Sequence, residues 1–323
     1  MLIDIVNQQV RTNKVSLIIV NDKVSPNLLH AIDEKVDIVL IKRPEGSKNP
    51  YYIAKINYIL WKQKPDIVHC HNHNMIKLLH LNLKYFLTIH AIGVPTVNFK
   101  HFDKLFAISH AVKKDVENRS RFSPCVIENG INLDHVESKT NYTFDTFRII
   151  QVSRLAHKDK GQDILLEALR KIIQKRNQIN ISVDFVGEGS SEQYLKSLVK
   201  EYNLENRVNF LGTKDRKWIY QNLKNYDLLI QPSVFEGFGL TIPEAMAAKL
   251  PLLVSDIDAI MEIIENGKFG NYFRSEDSDH CAEMISNIID NYNEQEIIAN
   301  KAYRHSRKYS VKTTVENYLK NYV

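Results

Sequence analysis

The feature that most constrains this chain is an alternation of short apolar runs with amphipathic stretches, which breaks once at a polar segment and then starts again. Before the break, residues 15–20, 36–41, 66–69, 85–88, 105–108 and 126–127 read as strands, and 51–61 and 110–116 carry apolar residues at helical spacing. After the polar stretch 137–145, residues 147–152, 181–186, 208–211, 227–230 and 251–254 read as strands. Between the first two of these, 162–175 reads as a helix with Ile164, Leu165, Ala168, Leu169, Ile172 and Ile173 on one face. Such alternation builds βαβ units and parallel sheets. Two sets of it in 323 residues predict two Rossmann-like α/β domains, 1–140 and 141–308, with a ligand cleft between them.

The opening of the chain does not fit a complete domain. Residues 1–7 read as a helix with Leu2, Ile5 and Val6 on one side, whereas a doubly wound domain normally begins with a strand and a tight glycine turn. The first, central strand of the N-terminal sheet is therefore expected to be missing, through a misassigned start or because the protein lacks it.

Composition narrows the class. The apolar fraction of 44% and charged fraction of 25% suit a soluble globular protein. Cys70, Cys125 and Cys281 show neither ligand pairing nor a disulfide framework, which fits a reducing compartment. No leader and no apolar run of membrane-spanning length is read, so a cytoplasmic protein is expected, with the inner face of the cell membrane left open. Residues 1–140 hold 19 Lys/Arg against 13 Asp/Glu. This basic half could meet an anionic membrane or acceptor, or could be an ordinary solvated surface. No basic block is interleaved with aromatics, which argues against a nucleic-acid partner.

The densest cluster of candidate residues runs from Gln231 to Pro251 and contains Glu236-Gly-Phe-Gly-Leu240 and Pro243-Glu-Ala245. Pro243 suits the first turn of a helix, so Glu244 is expected to begin one. Gly237 and Gly239 allow close approach of a ligand, and a helix N-terminus after such a loop offers N–H groups to a phosphate. Glu236 and Glu244 bracket the loop, and carboxylates accept hydrogen bonds from adjacent hydroxyls. The plainer alternative is that the two acids cap and solvate an ordinary connection.

With these residues the chain resembles the family 4 retaining glycosyltransferases of the GT-B fold. The resemblance rests also on Arg154-Leu-Ala-His-Lys-Asp-Lys-Gly161, on Gly187-Glu-Gly189, on Phe210-Leu-Gly212 and on Asn129-Gly-Ile-Asn132. It implies that Arg154 and Lys160 bind the donor diphosphate, that Glu236 holds donor-sugar hydroxyls and that Glu244 holds the ribose. It places the backbone of Gly237, Phe238, Gly239 and Leu240 along the sugar and diphosphate, and Gly187, Glu188, Gly189 and Gly212 around the nucleotide. It also implies that a last helix over 311–322, with Val315, Tyr318 and Leu319 on one face, crosses back to the N-terminal domain from about residue 309.

The activity implied is transfer of a hexose from a nucleoside-diphosphate sugar, UDP before GDP, to a glycan or lipid-linked acceptor, with no cofactor and no metal. Charge grows on the leaving diphosphate, and preorganised cations can meet it. Cations at a helix start would otherwise be odd, because they oppose the helix dipole. His69-Cys-His-Asn-His73 tempts a metal reading, since alternate strand residues share a face, but no carboxylate or cysteine spacing completes a site. His90 follows another strand, and the resemblance puts it near the donor sugar. Ser109 reads as a helix N-cap. Two other functions stay open on the same fold: a nucleotide-sugar epimerase, or a truncated, inactive nucleotide-sugar-binding protein.

Overall fold

The computed structural model describes residues 1–176 and 178–322. Packing divides the chain into two units, Met1–Ile131 with Ser310–Val323, and Asn132–Tyr309. The first unit opens in α1 (Leu2–Gln9), followed by β1 (Ser16–Asn21), α2 (Pro26–His30), β2 (Asp37–Arg43), α3 (Pro50–Gln63), β3 (Ile67–Cys70), β4 (Lys84–Ile89), β5 (Lys104–Ala107), α4 (His110–Arg119) and β6 (Cys125–Val126). Strands β3 to β6 form one parallel sheet in sequence order, while β1 and β2 pair only with each other. One edge of β1 and one edge of β3 therefore carry no strand among the described residues. Leu17 to Val20 are correspondingly only half-buried, unlike the inner strands of a covered parallel sheet.

The second unit runs β7 (Phe147–Val152), α5 (His157–Lys160), α6 (Gln162–Lys175), β8 (Ile181–Val186), α7 (Glu192–Glu201), β9 (Val208–Phe210), α8 (Arg216–Asn222), β10 (Leu228–Gln231), α9 (Thr241–Ala247), β11 (Leu252–Ser255), α10 (Asp258–Met261), β12 (Asn271–Phe273), α11 (Ser278–Asp290) and α12 (Tyr292–Ser306). Its six strands lie in the order β12-β11-β10-β7-β8-β9, all parallel. The inner strands are almost wholly buried; Phe147, Ile149, Val183, Phe185, Leu228 and Ile230 are each at 0% exposure. Helix α6 packs Leu165, Leu166, Ala168, Leu169 and Ile172 onto this sheet, and each large apolar side chain so buried contributes about 1.5–3 kcal/mol. The segment after Ile131 already belongs to this unit. Glu137 N–H bonds Tyr220 O and Lys139 N–H bonds Ala248 O, and the buried Lys139 ammonium pairs with Asp227 at 2.9 Å.

The chain ends in α13 (Val311–Asn321), which returns to the first unit. Val311, Val315 and Tyr318 share a core with Ile5, Phe86, Phe106 and Ile127. Its entry is fixed by Val311 N–H bonding Ile131 O at 2.9 Å and by Thr314 Oγ1 bonding Glu128 O at 2.9 Å. Gly130 makes that approach possible, since a Cβ there would lie 2.5 Å from Thr314 Oγ1 and 2.7 Å from the Val311 backbone. Gly130→Ala should therefore push α13 off its seat and destabilise the first unit by about 1–3 kcal/mol, the range for overpacking. Chemical denaturation checks this; a midpoint equal to the parent's would show that the approach is not tight.

Candidate functional site

Strands β7 and β10 are neighbours in the second sheet, and from there the chain winds outward in both directions, to β8 and β9 on one side and β11 and β12 on the other. Ligands of open α/β sheets collect at such a switch point, outside the carboxyl ends of the strands. The loops that leave there are Ser153–Ala156 with α5, after β7, and Pro232–Leu240, after β10. Gly161 joins α5 to α6 at φ +62°, and a Cβ on it would sit 2.0 Å from the Pro232 carbonyl oxygen. Only glycine lets these two backbones touch here. The contact is reinforced by Val234 and Phe235 N–H groups, which donate to Asp159 O at 2.9 and 3.1 Å.

This contact brings Lys160 to Glu236. The Lys160 ammonium donates to Glu236 Oε2 at 2.7 Å and to Phe235 O at 3.2 Å, with the two side chains 16% and 18% exposed. Lys160 closes the one-turn α5 and stands just before the Gly161 cap of α6, so its charge adds to the positive end of that helix. Arg154 behaves differently. It is 68% exposed and meets Asp159 at 3.2 Å in a pair that is open to water, of a kind that holds a side chain weakly.

Two glutamines support this arrangement, and neither stood out in the sequence. Gln151 Nε2 donates to Lys160 O at 2.8 Å. Gln162 Nε2 donates to Arg154 O at 2.9 Å and to Ser153 Oγ at 3.0 Å. Both residues are fully buried, and neither amide oxygen has a hydrogen-bond partner among the described residues. Their burial is what marks them, since buried polar groups are as a rule hydrogen-bonded, and burial at these two positions is not visible in the sequence.

The loops after β8 and β9 are stitched to the same edge. Leu155 N–H bonds Glu188 O at 3.0 Å, and Gly187 N–H bonds Gly212 O at 2.9 Å. Glu188 Oε1 accepts from Thr213 N–H at 3.4 Å, and Gly189 crosses directly over the Leu155 backbone. After Glu236, Gly237 N–H turns back to that carboxylate at 3.3 Å. Phe238 is buried edge-on against Tyr309, and Gly239 and Leu240 lead into α9. Helix α9 begins at Thr241, earlier than expected at Glu244, which is compatible with Pro243 because the N–H groups of a helix's first turn have no intrahelical partner to lose. Pro243 keeps its place in the first turn, and the Glu244 side chain is buried, at 7% exposure.

In the first unit, His69, His71 and His73, which strand spacing alone could have placed on one face, do not converge. The chain turns at Asn72 into a short 3-10 helix that begins at His73. The third ring is instead His90, at the end of β4. His69 stacks on His71 at 4.6 Å and His71 on His90 at 5.2 Å, with His71 Nδ1 2.9 Å from His90 Nε2. His69 is held by Tyr322 OH at 2.7 Å and by Thr88 Oγ1 at 2.8 Å, and Thr88 in turn by Tyr318 OH at 2.9 Å. Among the described residues no three His, Cys, Asp or Glu side chains are placed to hold a metal ion. Ser109 caps α4 by accepting Val112 N–H at 3.1 Å.

Residues 137–305 match the family described as glycosyl transferases group 1, and residues 2–135 match glycosyltransferase family 4. An uncharacterized glycosyltransferase of Methanocaldococcus jannaschii is 27% identical over 76% of this chain and 71% of its own length. The poly(ribitol-phosphate) alpha-N-acetylglucosaminyltransferase of Staphylococcus aureus is 25% identical over 87% of this chain and 60% of its own length. Among solved structures, Anabaena HepE in complex with UDP and glucose has a TM-score of 0.82 at 19% identity, covering 99% of this chain and 94% of that one. A glycosyltransferase from Rickettsia africae has a TM-score of 0.80 at 22% identity, covering 98% and 92%. The fold is that of the GT-B glycosyltransferases.

The imidazole stack should make stability depend on pH. Burial pushes His69 down from 6.5 to about 3, with His90 adding repulsion. Burial, and then the N-terminal ammonium, push His90 down to about 4. His71 moves the same way, by burial and by its two imidazole neighbours. That ammonium is itself paired with Asp4 at 3.0 Å. Between about pH 4 and 6.5 the unfolded chain binds protons that the folded chain refuses, so stability falls as pH drops through that window. The melting temperature should decline from pH 7 to pH 4.5, and His69→Gln should flatten the decline. A slope unchanged by that substitution would contradict the assignment.

Proposed function

This chain belongs to the glycosyl transferases group 1 and is a glycosyltransferase, and we propose that it moves a hexose from a UDP-sugar to a glycan or lipid-linked acceptor, with retention of configuration and without a metal. The observation that carries this reading is the Lys160–Glu236 pair at the switch point, where an ammonium and a carboxylate stand 2.7 Å apart. A donor diphosphate can take the ammonium while hydroxyls of its sugar donate to the carboxylate, so one ligand satisfies both charges.

In this reading Arg154 and Lys160 bind the diphosphate. The bond from the anomeric carbon to the phosphate oxygen breaks, and negative charge accumulates on the leaving UDP. Together the two cations stabilise that charge more in the transition state than in the ground state. Arg154, being exposed and weakly held, is the one that swings onto the phosphate. The acceptor hydroxyl attacks the face the phosphate leaves, and its proton passes to the departing phosphate oxygen. Glu244 receives the ribose hydroxyls, with Gly187, Glu188, Gly189 and Gly212 around the base and Gly237, Phe238, Gly239 and Leu240 along the sugar and diphosphate. His90, tied to His71, offers its other ring nitrogen to a sugar hydroxyl. The UDP complex of HepE supports the choice of base, and the glycopolymer named for the Staphylococcus aureus relative supports a glycan acceptor. The acceptor is presented at an anionic membrane surface on the cytoplasmic side.

Removing Lys160 or Arg154 as Ala should slow turnover by about 100-fold or more, the cost of losing one preorganised group at a developing charge. Glu244→Ala should act on donor affinity instead, by about 1.5–3 kcal/mol for a lost charge-assisted hydrogen bond. Steady-state kinetics and donor titration separate the two effects, and near-normal values in all three variants would remove the site assignment. Turnover of a UDP-sugar should also persist in excess EDTA. Loss restored by manganese or magnesium would reverse the metal-independent part, and turnover of only a cytidine monophosphate sugar would reverse the choice of donor.

A further inference from the structure

Helix α3 turns Ile56 and Leu60 inward, at 1% and 3% exposure, and leaves Tyr51, Tyr58 and Trp61 at 59%, 60% and 61%. At 3.6 residues per turn these three aromatics fall on one face, opposite the buried pair, with Lys62 beside them. The Tyr58 and Trp61 rings lie against each other with centroids 6.0 Å apart. Single exposed apolar residues need no explanation, but a contiguous group of large ones marks an interaction surface.

Charge around this helix is lopsided. From Lys42 to Lys64 the chain carries six Lys/Arg and one acid, Glu45, a surplus equal to the net charge of +5 on the whole chain. Lys42, Lys48, Lys62 and Lys64 are exposed, and α3 itself holds no Asp or Glu. We propose that α3 and its flanking lysines form a docking surface for an anionic phospholipid bilayer.

Three considerations favour this occupant. Tyr and Trp are the residues whose apolar ring and polar tip suit the headgroup level of a membrane. Lysine stems lie along apolar surface while their ammonium groups reach lipid phosphates. A second copy of this chain would set the same cations against each other. Three aromatics at this exposure also offer only about 300–450 Å², short of the roughly 800 Å² per partner of a stable protein interface. No described helix is long and apolar enough to cross a membrane, so attachment through α3 would be peripheral. The surface would serve the lipid-linked acceptor of the proposed function, but its test needs no turnover.

The test is sedimentation with vesicles of phosphatidylcholine alone and with added phosphatidylglycerol. The full chain should pellet with the anionic vesicles, less so as salt rises, and little with the neutral ones. Lys62→Gln with Lys64→Gln should weaken binding about 25-fold, at about fivefold for each lysine near the surface. Tyr58→Ser with Trp61→Ser should weaken it without changing the melting temperature. In the Trp218→Phe background, where Trp61 is the one remaining tryptophan, emission should shift to the blue on adding anionic vesicles. That reading stands even where a multiple variant folds poorly. The proposal is overturned if the parent ignores anionic vesicles, if binding survives both double substitutions, or if Trp61 emission does not move. It is equally overturned if the aromatic substitutions abolish a dimer instead, or if soluble polyphosphate binds while vesicles do not.

Discussion

The structure of the second unit depends on two backbones meeting at the middle of its sheet. Parallel strands β7 and β10 are neighbours although α5, α6, β8, α7, β9 and α8 separate them in the chain, so the loops after them are delivered to one place by topology alone. Gly161 then lets the second loop lie against the first, with Pro232 O where a side chain would otherwise begin. Without that contact Lys160 and Glu236 would be two charged residues on separate loops. With it they form a half-buried pair whose geometry is set by main-chain hydrogen bonds from Val234 and Phe235. An ion pair shielded from water interacts more strongly than one on the surface, and a ligand that replaces both halves at once keeps that advantage.

Below the pair, rigidity comes from buried amides. Gln151 and Gln162 spend their donors on the carbonyls of Lys160 and Arg154, and so fix the peptide path through α5 while the Arg154 guanidinium stays in solvent. The result is one cation held in place and one able to move. That division suits a reaction in which a charged group must first enter and then be stabilised as it leaves. In the first unit the corresponding order comes from α13, whose Tyr318 and Tyr322 reach Thr88 and His69. The imidazole stack that ends at His90 thus rests on a helix from the far end of the chain.

Much of this was legible from sequence, for a physical reason. Strands buried on both faces must be continuous apolar runs, and the eleven that were read fall within one or two residues of strands β1 to β11. Strand β12 was not read, because Asn271-Tyr-Phe273 is a three-residue edge strand without a periodic signal. The approach of Gly161 to Pro232 was hidden because it joins residues far apart in the chain, and Gln151 and Gln162 were hidden because a lone polar residue in a strand or at a helix start reads as solvent-facing. His90 could be named from its place after β4. That it, and not His73, completes the imidazole stack depends on the turn at Asn72, where the Asn72 side chain accepts Asn74 N–H and ends the strand spacing. The polar stretch 137–145 was read as the break, with the first domain running to 140, but Lys139 buries its ammonium against Asp227, and the second unit already begins at Asn132.

The central claim, that Lys160 and Glu236 form the heart of a nucleotide-sugar site, is tested most directly by a crystal structure of this protein with UDP bound. The account predicts a diphosphate oxygen within about 3 Å of Lys160 Nζ, Arg154 turned from Asp159 onto the phosphate, and the ribose hydroxyls on the Glu244 carboxylate. UDP seated elsewhere on the second unit, with the Lys160–Glu236 and Arg154–Asp159 pairs undisturbed, would contradict it.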